Sequence, residues 1–359
     1  MKWLLAALER ARPSFEEGGK LRALKRVFDA TESFLFSPPD TAQAAPYVRD
    51  PLDVKRFMSV AIVSLLPCTA AALYFFGLRV LAIIAVSYAV GGTVEVLFAV
   101  VRKEPINEGF LVTGLIFPLV MPPAIRLWMV GVGVAFGVLV GKELFGGTGR
   151  NLFNPALVGR CFLAIGYPVA MSAAWIKPGG GVLGRVMQYV GAAQADAITS
   201  ATPLVAAKQQ TWASLQDLFL GRVAGSIGET SALAILVGGT FLLATGVANW
   251  RTVAGVLISF GLGQAVLHRV DPGAFGPALW HLCAGGLLFG AFFMATDPVT
   301  SPSMSGAKWA YGAIIGIVTV LIRNLTGYVE GVMFAILLGN ICAPLLDEIV
   351  IRARMRAYR

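Results

Sequence analysis

Charged residues are scarce in this chain of 359 residues: Asp, Glu, Lys and Arg together make up 14%. Soluble domains carry close to twice that share. With 57% hydrophobic residues, the composition excludes an ordinary water-soluble fold. Cysteine is nearly absent too. Cys68, Cys161, Cys283 and Cys342 all fall inside apolar runs and none is spaced as C-x-x-C, which excludes a disulfide frame and a cysteine-ligated metal. Two histidines, His268 and His281, are too few for a multi-haem electron wire and read as interfacial or packed side chains. There is no G-x-x-x-x-G-K-[S/T] phosphate loop and no Rossmann glycine pattern after a strand, so nucleotide oxidation is not expected in this chain. The N-terminal apolar run, Trp3 to Leu8, is short, is followed by Glu9, Glu16 and Glu17 and has no small-residue cleavage pattern, which argues against a cleaved secretory signal.

Basic residues are plentiful enough, 29 against 20 acidic, to raise the question of nucleic acid. Their positions answer it. Ten precede the first long apolar run and four follow the last, an arrangement of topology signals rather than of a groove, and no nucleic-acid partner is expected.

Apolar runs near 57–77, 79–101, 109–123, 126–142, 152–172, 231–247, 252–268, 278–296, 307–323 and 329–347 predict an all-α polytopic membrane protein of about ten transmembrane helices. The third ends in Met121-Pro122-Pro123 and the eighth runs into Thr296-Asp297-Pro298, so both read as broken helices lining something polar. Even parity puts both termini on one side, and that side holds 20 Lys/Arg against 8 on the other. The positive-inside rule then makes the termini cytoplasmic and the long hydrophilic stretch 173–230 extracytoplasmic. Three parts follow: an arm over 1–56, a bundle over 57–350 and a basic tail over 351–359. Leu21, Leu24, Val27 and Phe28 recur at helical spacing among basic residues, which fits an interfacial amphipathic helix or an arm that binds a partner.

A faint repeat runs through the bundle. Gly114-Leu115-Ile116-Phe117 precedes one break and Trp128 opens a helix with Gly131, Gly133 and Gly137; Gly286-Leu287-Leu288-Phe289 precedes the other and Trp309 opens one with Gly312 and Gly316. A shift of five spans is odd, so the chain is expected to form two inverted five-helix repeats.

The most specific local pattern is Asp196-Ala197-Ile198-Thr199-Ser200-Ala201-Thr202, of the form D-x-x-[S/T]-[G/A/S]-A-T. A threonine hydroxyl can be joined to a phosphate, and β-branching aims whatever it carries. The same residues before Pro203 also make an ordinary polar turn. Gly146-Gly147-Thr148-Gly149, with Asn151 and Asn154, lets a flat ring or headgroup approach backbone N–H groups, or else is a tight turn with Asn154-Pro155 opening a helix. Acids at membrane depth are costly and therefore become site candidates. They are Glu95, Glu143, Asp297, Glu330 and Asp347. Asp297, beside a break, is the best placed for a sodium path, with Glu143 and Glu330 next; Glu95 reads equally as a buried partner of Arg160, and Asp347 and Glu348 as surface acids.

Several segments together resemble a known family. Val48-Arg49-Asp50 to Asp53–Met58, Gly141–Leu157, Gly225–Thr230 and Met294–Pro298 look like the NqrB family, membrane subunits of the sodium-translocating NADH:quinone oxidoreductase, whose sister family is RnfD of the Rnf ferredoxin:NAD complex. The likeness covers the chain in order. It implies an inner-membrane component of a bacterial complex, not catalytic alone, that passes electrons from a flavin in a partner protein to quinone and couples this to sodium export. It further implies FMN joined as a phosphoester to Thr202 by a flavin transferase reading Asp196, Thr199, Ser200 and Ala201, and a non-covalent riboflavin. Location alone points the riboflavin and quinone to Gly146, Gly147, Thr148, Asn151 and Asn154. Two departures stand out: Ser200 replaces the usual glycine, and the connection between the second and third spans is short. A solute transporter or channel on the same fold is the non-redox alternative.

Overall fold

In the computed structural model, residues 9–16, 25, 28, 32, 54–103, 109–179, 183–189, 202–328 and 330–357 are described. Among them regular structure is helical, apart from isolated bridge residues such as the antiparallel pair Gly77 and Tyr189. Of the N-terminal apolar stripe only Phe28 falls within the described residues; it is buried and stacks on Phe15 with ring centroids 4.7 Å apart.

The helices are α1 (Val54–Phe76), α2 (Arg79–Arg102), α3 (Gly109–Leu119), α4 (Leu127–Gly141), α5 (Pro155–Gly166), α6 (Pro168–Ala173), α7 (Pro203–Lys208), α8 (Leu215–Leu220), α9 (Ala232–Ala244), α10 (Trp250–Val270), α11 (Ala278–Cys283), α12 (Leu287–Phe289), α13 (Ser305–Leu325) and α14 (Val332–Ala357). Six of them, α1, α2, α4, α10, α13 and α14, are long and apolar enough to cross a membrane. Their outer faces fit the solvent they are built for. Ile258, Leu262 and Val266 form a stripe at i, i+4, i+8 on α10 and are 53–65% exposed, as are Ile341, Leu345 and Ile349 on α14 at 54–61%. A soluble protein does not present such stripes, whereas lipid requires them. The chain is thus an all-α polytopic membrane protein.

The remaining apolar runs are shorter in the structure than their hydropathy predicts. α3, α5 and α9 span 11 to 13 residues, about 17–20 Å at 1.5 Å per residue, against a hydrocarbon core of about 30 Å. The run at 152–172 divides at Pro168 into α5 and α6, because proline cannot donate to the helix ladder. The run at 278–296 is broken in three: α11 stops at Cys283, α12 begins at Leu287, and Gly290–Met294 is π-helical. Beyond Thr296 the chain turns without helix to Ser305.

Breaks at membrane depth leave backbone groups that only protein can satisfy. After α3 the carbonyls of Pro123 and Ile125 accept from the buried Arg79 guanidinium at 3.1 and 2.6 Å. Those of Leu119 and Met121 accept from Gly228 and Ile227 N–H at 2.6 and 3.0 Å. At the second break Asp347 accepts from Ser303 and Met304 N–H at 2.8 Å each and so caps α13 from α14. It is not the free surface acid that its place in the sequence suggests, although Glu348 is exposed and pairs with Arg352.

Small residues decide the tightest helix contact, between α10 and α13. A Cβ on Gly312 would sit 2.9 Å from the Cα of Gly255, and one on Gly316 would meet the Val256 carbonyl at 2.6 Å. Gly133 and Gly137 of α4 instead face α5, close to Leu163 and Pro155. The two glycine rows that hinted at a repeat therefore serve different neighbours.

Candidate functional site

Two polar centres lie at opposite ends of the bundle. The first is built on the turn between α4 and α5. α4 ends at Gly141, a 3₁₀ turn covers Glu143–Phe145, and Gly146, Gly147 and Gly149 follow with φ of 110°, 90° and 88°, a region that residues with a Cβ rarely enter. Asn154 closes the turn as the N-cap of α5, its Oδ1 accepting from Ala156 N–H at 3.1 Å ahead of Pro155 at the first helical position.

This turn faces the unwound segment after the π-helix. Between them is a cavity of about 90 Å³, and Lys142, Thr148, Asn151, Asn154, Thr296 and Asp297 supply its polar lining while Phe57, Met58, Ile116 and Phe293 supply apolar walls. The Thr148 Oγ1 is buried and has no hydrogen-bond partner among the described residues. Asp297 accepts from Thr300 Oγ1 at 2.9 Å and Val299 N–H at 3.3 Å, which leaves further lone pairs on both oxygens. Asn340 of α14 ties the turn to the second half: with its amide oriented to satisfy all its neighbours, it donates to Ile336 O and Tyr311 Oη and accepts from Asn154 N–H at 3.3 Å.

Four sequence candidates thus converge: Thr148, Asn151, Asn154 and Asp297. Gly146 and Gly147 do not line the cavity. Gly146 lies against Arg150, and Gly147 against the ion pair of Glu143 with Arg102, 2.7 Å apart, whose guanidinium also donates to the Glu143 carbonyl. Glu143 is therefore engaged, and Glu330 lies at the other centre. No group of three or more His, Cys, Asp or Glu that could hold a metal exists among the described residues. Among the described lining residues, a cation here would find the one carboxylate of Asp297 plus neutral oxygens.

Glu95 is not the partner of Arg160. It accepts from Lys142 Nζ at 2.7 Å, with both side chains at least nine-tenths buried. Arg160 of α5 instead pairs with Glu229 at 2.9 Å, approaches Ser226 Oγ at 3.3 Å and also binds Glu330, in the second polar centre. Arg323 of α13 and His281 of α11 belong to the same end. Glu229, Arg323, Lys142, Asn340 and Tyr311 do not stand out in the sequence. The available signal was charge balance: an arginine inside an apolar run demands a carboxylate, and the Gly225–Thr230 segment offered one.

The Asp196–Ala201 part of the threonine motif lies outside the described residues. Thr202 is the N-cap of α7 and is buried, yet its side chain makes no capping hydrogen bond. Its segment packs at the Arg160 end: Lys208 Nζ donates to the Thr326 carbonyl at 2.7 Å, and Leu204 lies against Gly285.

A family model described as NQR2, RnfD, RnfE family matches residues 41–356. The chain is 39% identical to the B subunit of the Na(+)-translocating NADH-quinone reductase of Azotobacter vinelandii, covering 98% of this chain and 97% of that protein. It is 37% identical to the equivalent protein of Ectopseudomonas mendocina over 98% and 97%, and 36% identical to that of Pseudomonas aeruginosa strain LESB58 over 97% of each chain. A cavity at a broken helix, a polar network across two halves and full-length likeness to these proteins agree, and the chain belongs to the NQR2, RnfD, RnfE family.

Proposed function

We propose that this chain is the membrane subunit of a bacterial Na⁺-translocating NADH:quinone reductase, passing electrons from a flavin in a partner protein to quinone while sodium is exported. The names of its full-length relatives support that reading. The observation that carries it is the cavity between the Asn151–Asn154 turn and Asp297, with an unpartnered buried hydroxyl on Thr148. Thr148, Asn151 and Asn154 present donors and acceptors suited to the polar edge of a flavin or quinone ring, and the phenyl groups of Phe57 and Phe293 suit its faces. The present volume takes a few waters or a partly hydrated cation, below the roughly 300 Å³ of ordinary ligand pockets, so a whole ring enters only as these walls part. A bound flavin supplies the redox chemistry; the residues position it, exclude water and hold charge nearby.

At the other end the Thr202 hydroxyl, free of any capping bond, is the attachment point for FMN. Because Thr202 is 7% exposed, a flavin transferase reaches it before this segment packs or on its release. Sodium is drawn towards Asp297.

The same reading includes ten membrane crossings in two inverted halves, both termini cytoplasmic in the inner membrane, the 1–56 arm and 351–359 tail on that side and the 173–230 region outside. Packing supports it. α2 packs on α4 as α10 packs on α13, α4 on α5 as α13 on α14, and the cross-contacts α1 with α9 and α5 with α14 are each their own mirror partner. The α1–α2 turn bonds to the 179–188 segment through Leu78 N–H to Gln188 O and Gly179 N–H to Phe75 O, so these connections share one end.

The test is flavin release. Acid precipitation of the purified complex should free one non-covalent flavin that Asn154→Leu or Thr148→Val reduces several-fold, while protein-bound flavin is unchanged. Full retention in both variants overturns the assignment of this cavity.

A further inference from the structure

Beneath α7 lies a second cavity, of about 60 Å³, whose charged lining among the described residues is all basic. Leu204, Ala207 and Trp212 roof it; Lys208, His281 and Arg323 furnish its charge-bearing groups, with no carboxylate among the described lining residues. Arg323 is 4% exposed and His281 6%.

Both are left with unmet hydrogen bonds. The Arg323 guanidinium donates once, from Nη1 to the His281 carbonyl at 2.9 Å, and its centre sits 5.3 Å from the ring of Phe260. Its Nε and Nη2 have no partner among the described residues, and neither do His281 Nδ1 and Nε2. The imidazole is flanked edge-on by Trp280 and Trp212, with centroids 5.0 and 6.0 Å away, and these aromatic neighbours present no acceptor to it. The Trp280 indole N–H is already spent on the Ala213 carbonyl. Neither nearby carboxylate bonds to Arg323: Glu330 binds Arg160, and Glu229 pairs with Arg160 through Oε1 while its own Oε2 stays buried without a partner among the described residues.

A buried guanidinium with two idle donors beside an imidazole and an ammonium is an incomplete arrangement. Leaving such groups unpaired is costly. An acceptor-only tetrahedral anion completes it: a phosphate accepts the Nε/Nη2 fork in bidentate fashion and reaches an imidazole N–H with a third oxygen.

We propose that this cavity binds a phosphate group through Arg323 and His281, with Lys208 adding charge at its mouth. Two sources share that chemistry. One is the phosphate of a flavin nucleotide on Thr202, two residues before Leu204 in the roof, and this source rests on the attachment proposed above. The other is the phosphodiester of a membrane lipid.

The probe is radiolabelled inorganic phosphate, offered to the detergent-purified complex by equilibrium dialysis with chloride at equal ionic strength. If flavin supplies the group, wild type carrying its flavin takes up no label, while Thr202→Ala takes up one saturable equivalent. If lipid supplies it, neither form takes up label until excess detergent strips the protein, and the extract then holds one phospholipid more per chain than that of Arg323→Gln. Arg323→Gln should weaken phosphate binding about tenfold or more, and Arg323→Lys should fall between, keeping the charge but not the fork. A wild-type band without gel fluorescence that still binds label sinks the flavin attachment and leaves the anion site standing. No saturable label in any form, stripped or not, with no lipid difference, overturns the site, and so does equal displacement by chloride. The wild-type and Thr202→Ala measurements decide the matter even if both Arg323 variants fail to fold.

Discussion

Lys142 Nζ lies 2.7 Å from Glu95 Oε2, an ion pair between the cavity turn and α2 with both side chains at least nine-tenths buried. Neither charge is tolerable alone at that depth, because the desolvation cost is offset only by the partner. Lys142→Met strands the carboxylate and should lower stability by about 3–5 kcal/mol, whereas Lys142→Met combined with Glu95→Leu should restore most of it. Thermal unfolding of the detergent-solubilised chain, followed by size-exclusion recovery, checks the pair. Additive losses in the double variant would mean that the two side chains act separately.

The contact between α10 and α13 depends on the absence of side-chain atoms. A Cβ at Gly316 meets the Ser259 hydroxyl and, at 2.6 Å, the Val256 carbonyl, both fixed by the opposing helix. Gly316→Leu should therefore destabilise the protein by roughly 1–3 kcal/mol or more through overpacking. Gly261, on the same α10, has nothing within 4 Å, and Gly261→Ala should be neutral or slightly stabilising. The same melting experiment compares them, and a tolerated Gly316→Leu would show that the two helices can separate.

How much of this is legible in the sequence depends on what kind of information a residue carries. Lipid-facing runs declare themselves, since any long apolar stretch with exposed Ile258, Leu262 and Val266 has only one suitable solvent. The breaks declare themselves as well, through Pro122 and Pro298. What the sequence does not disclose is pairing across the bundle. Arg160 has Glu95 and Glu229 as candidate partners, and only the packing of α5 against the turn at Ser226–Thr230 chooses Glu229. Helix length fails at 152–172 because hydropathy ignores what Pro168 does to the ladder. In the cavity, Asn154 and Asp297 are each visible as caps or ligands, 143 positions apart, but nothing in a linear reading places them in one pocket.

Orientation in the membrane is checked by a pair of cysteines at opposite ends. Gln209 follows α7 on the Thr202 side and Leu144 lies on the turn after α4; both are exposed. If the chain crosses ten times as proposed, 20 basic residues lie on the side of the termini and 8 on the other, so Gln209→Cys should react with an impermeant thiol reagent in intact cells, and Leu144→Cys only in inverted vesicles. The reverse pattern would invert the whole arrangement and put flavin attachment in the wrong compartment.

Among the described residues, Asp297 is the one carboxylate lining the first cavity. If it draws sodium, Asp297→Asn removes the charge and keeps an acceptor for the Val299 N–H, while its amide nitrogen donates to Thr300 Oγ1 where the carboxylate accepted from it. Sodium stimulation of quinone reduction by the complex should then require at least about tenfold more sodium, with flavin content intact, since a charged contact is worth roughly 1.5–3 kcal/mol. Unchanged sodium dependence would reduce Asp297 to a local cap of the Pro298–Thr300 turn.

Flavin attachment at Thr202 gives the most direct outcome. A phosphoester to a side-chain hydroxyl survives boiling in detergent, whereas a flavin held by stacking and hydrogen bonds is lost. Wild type made together with a flavin transferase should therefore give a band that fluoresces under ultraviolet light on a denaturing gel. Thr202→Ala removes the accepting oxygen and should abolish the signal; Thr202→Ser keeps an oxygen without the β-methyl group and should retain part of it. Asp196→Ala should dim the band by weakening the pattern that the transferase reads. Since Thr202 makes no side-chain cap on α7, its loss should leave the melting temperature nearly unchanged, so a dark Thr202→Ala band cannot be put down to misfolding. A dark wild-type band, or a bright Thr202→Ala band, removes Thr202 from the electron path and moves the non-redox transporter reading ahead.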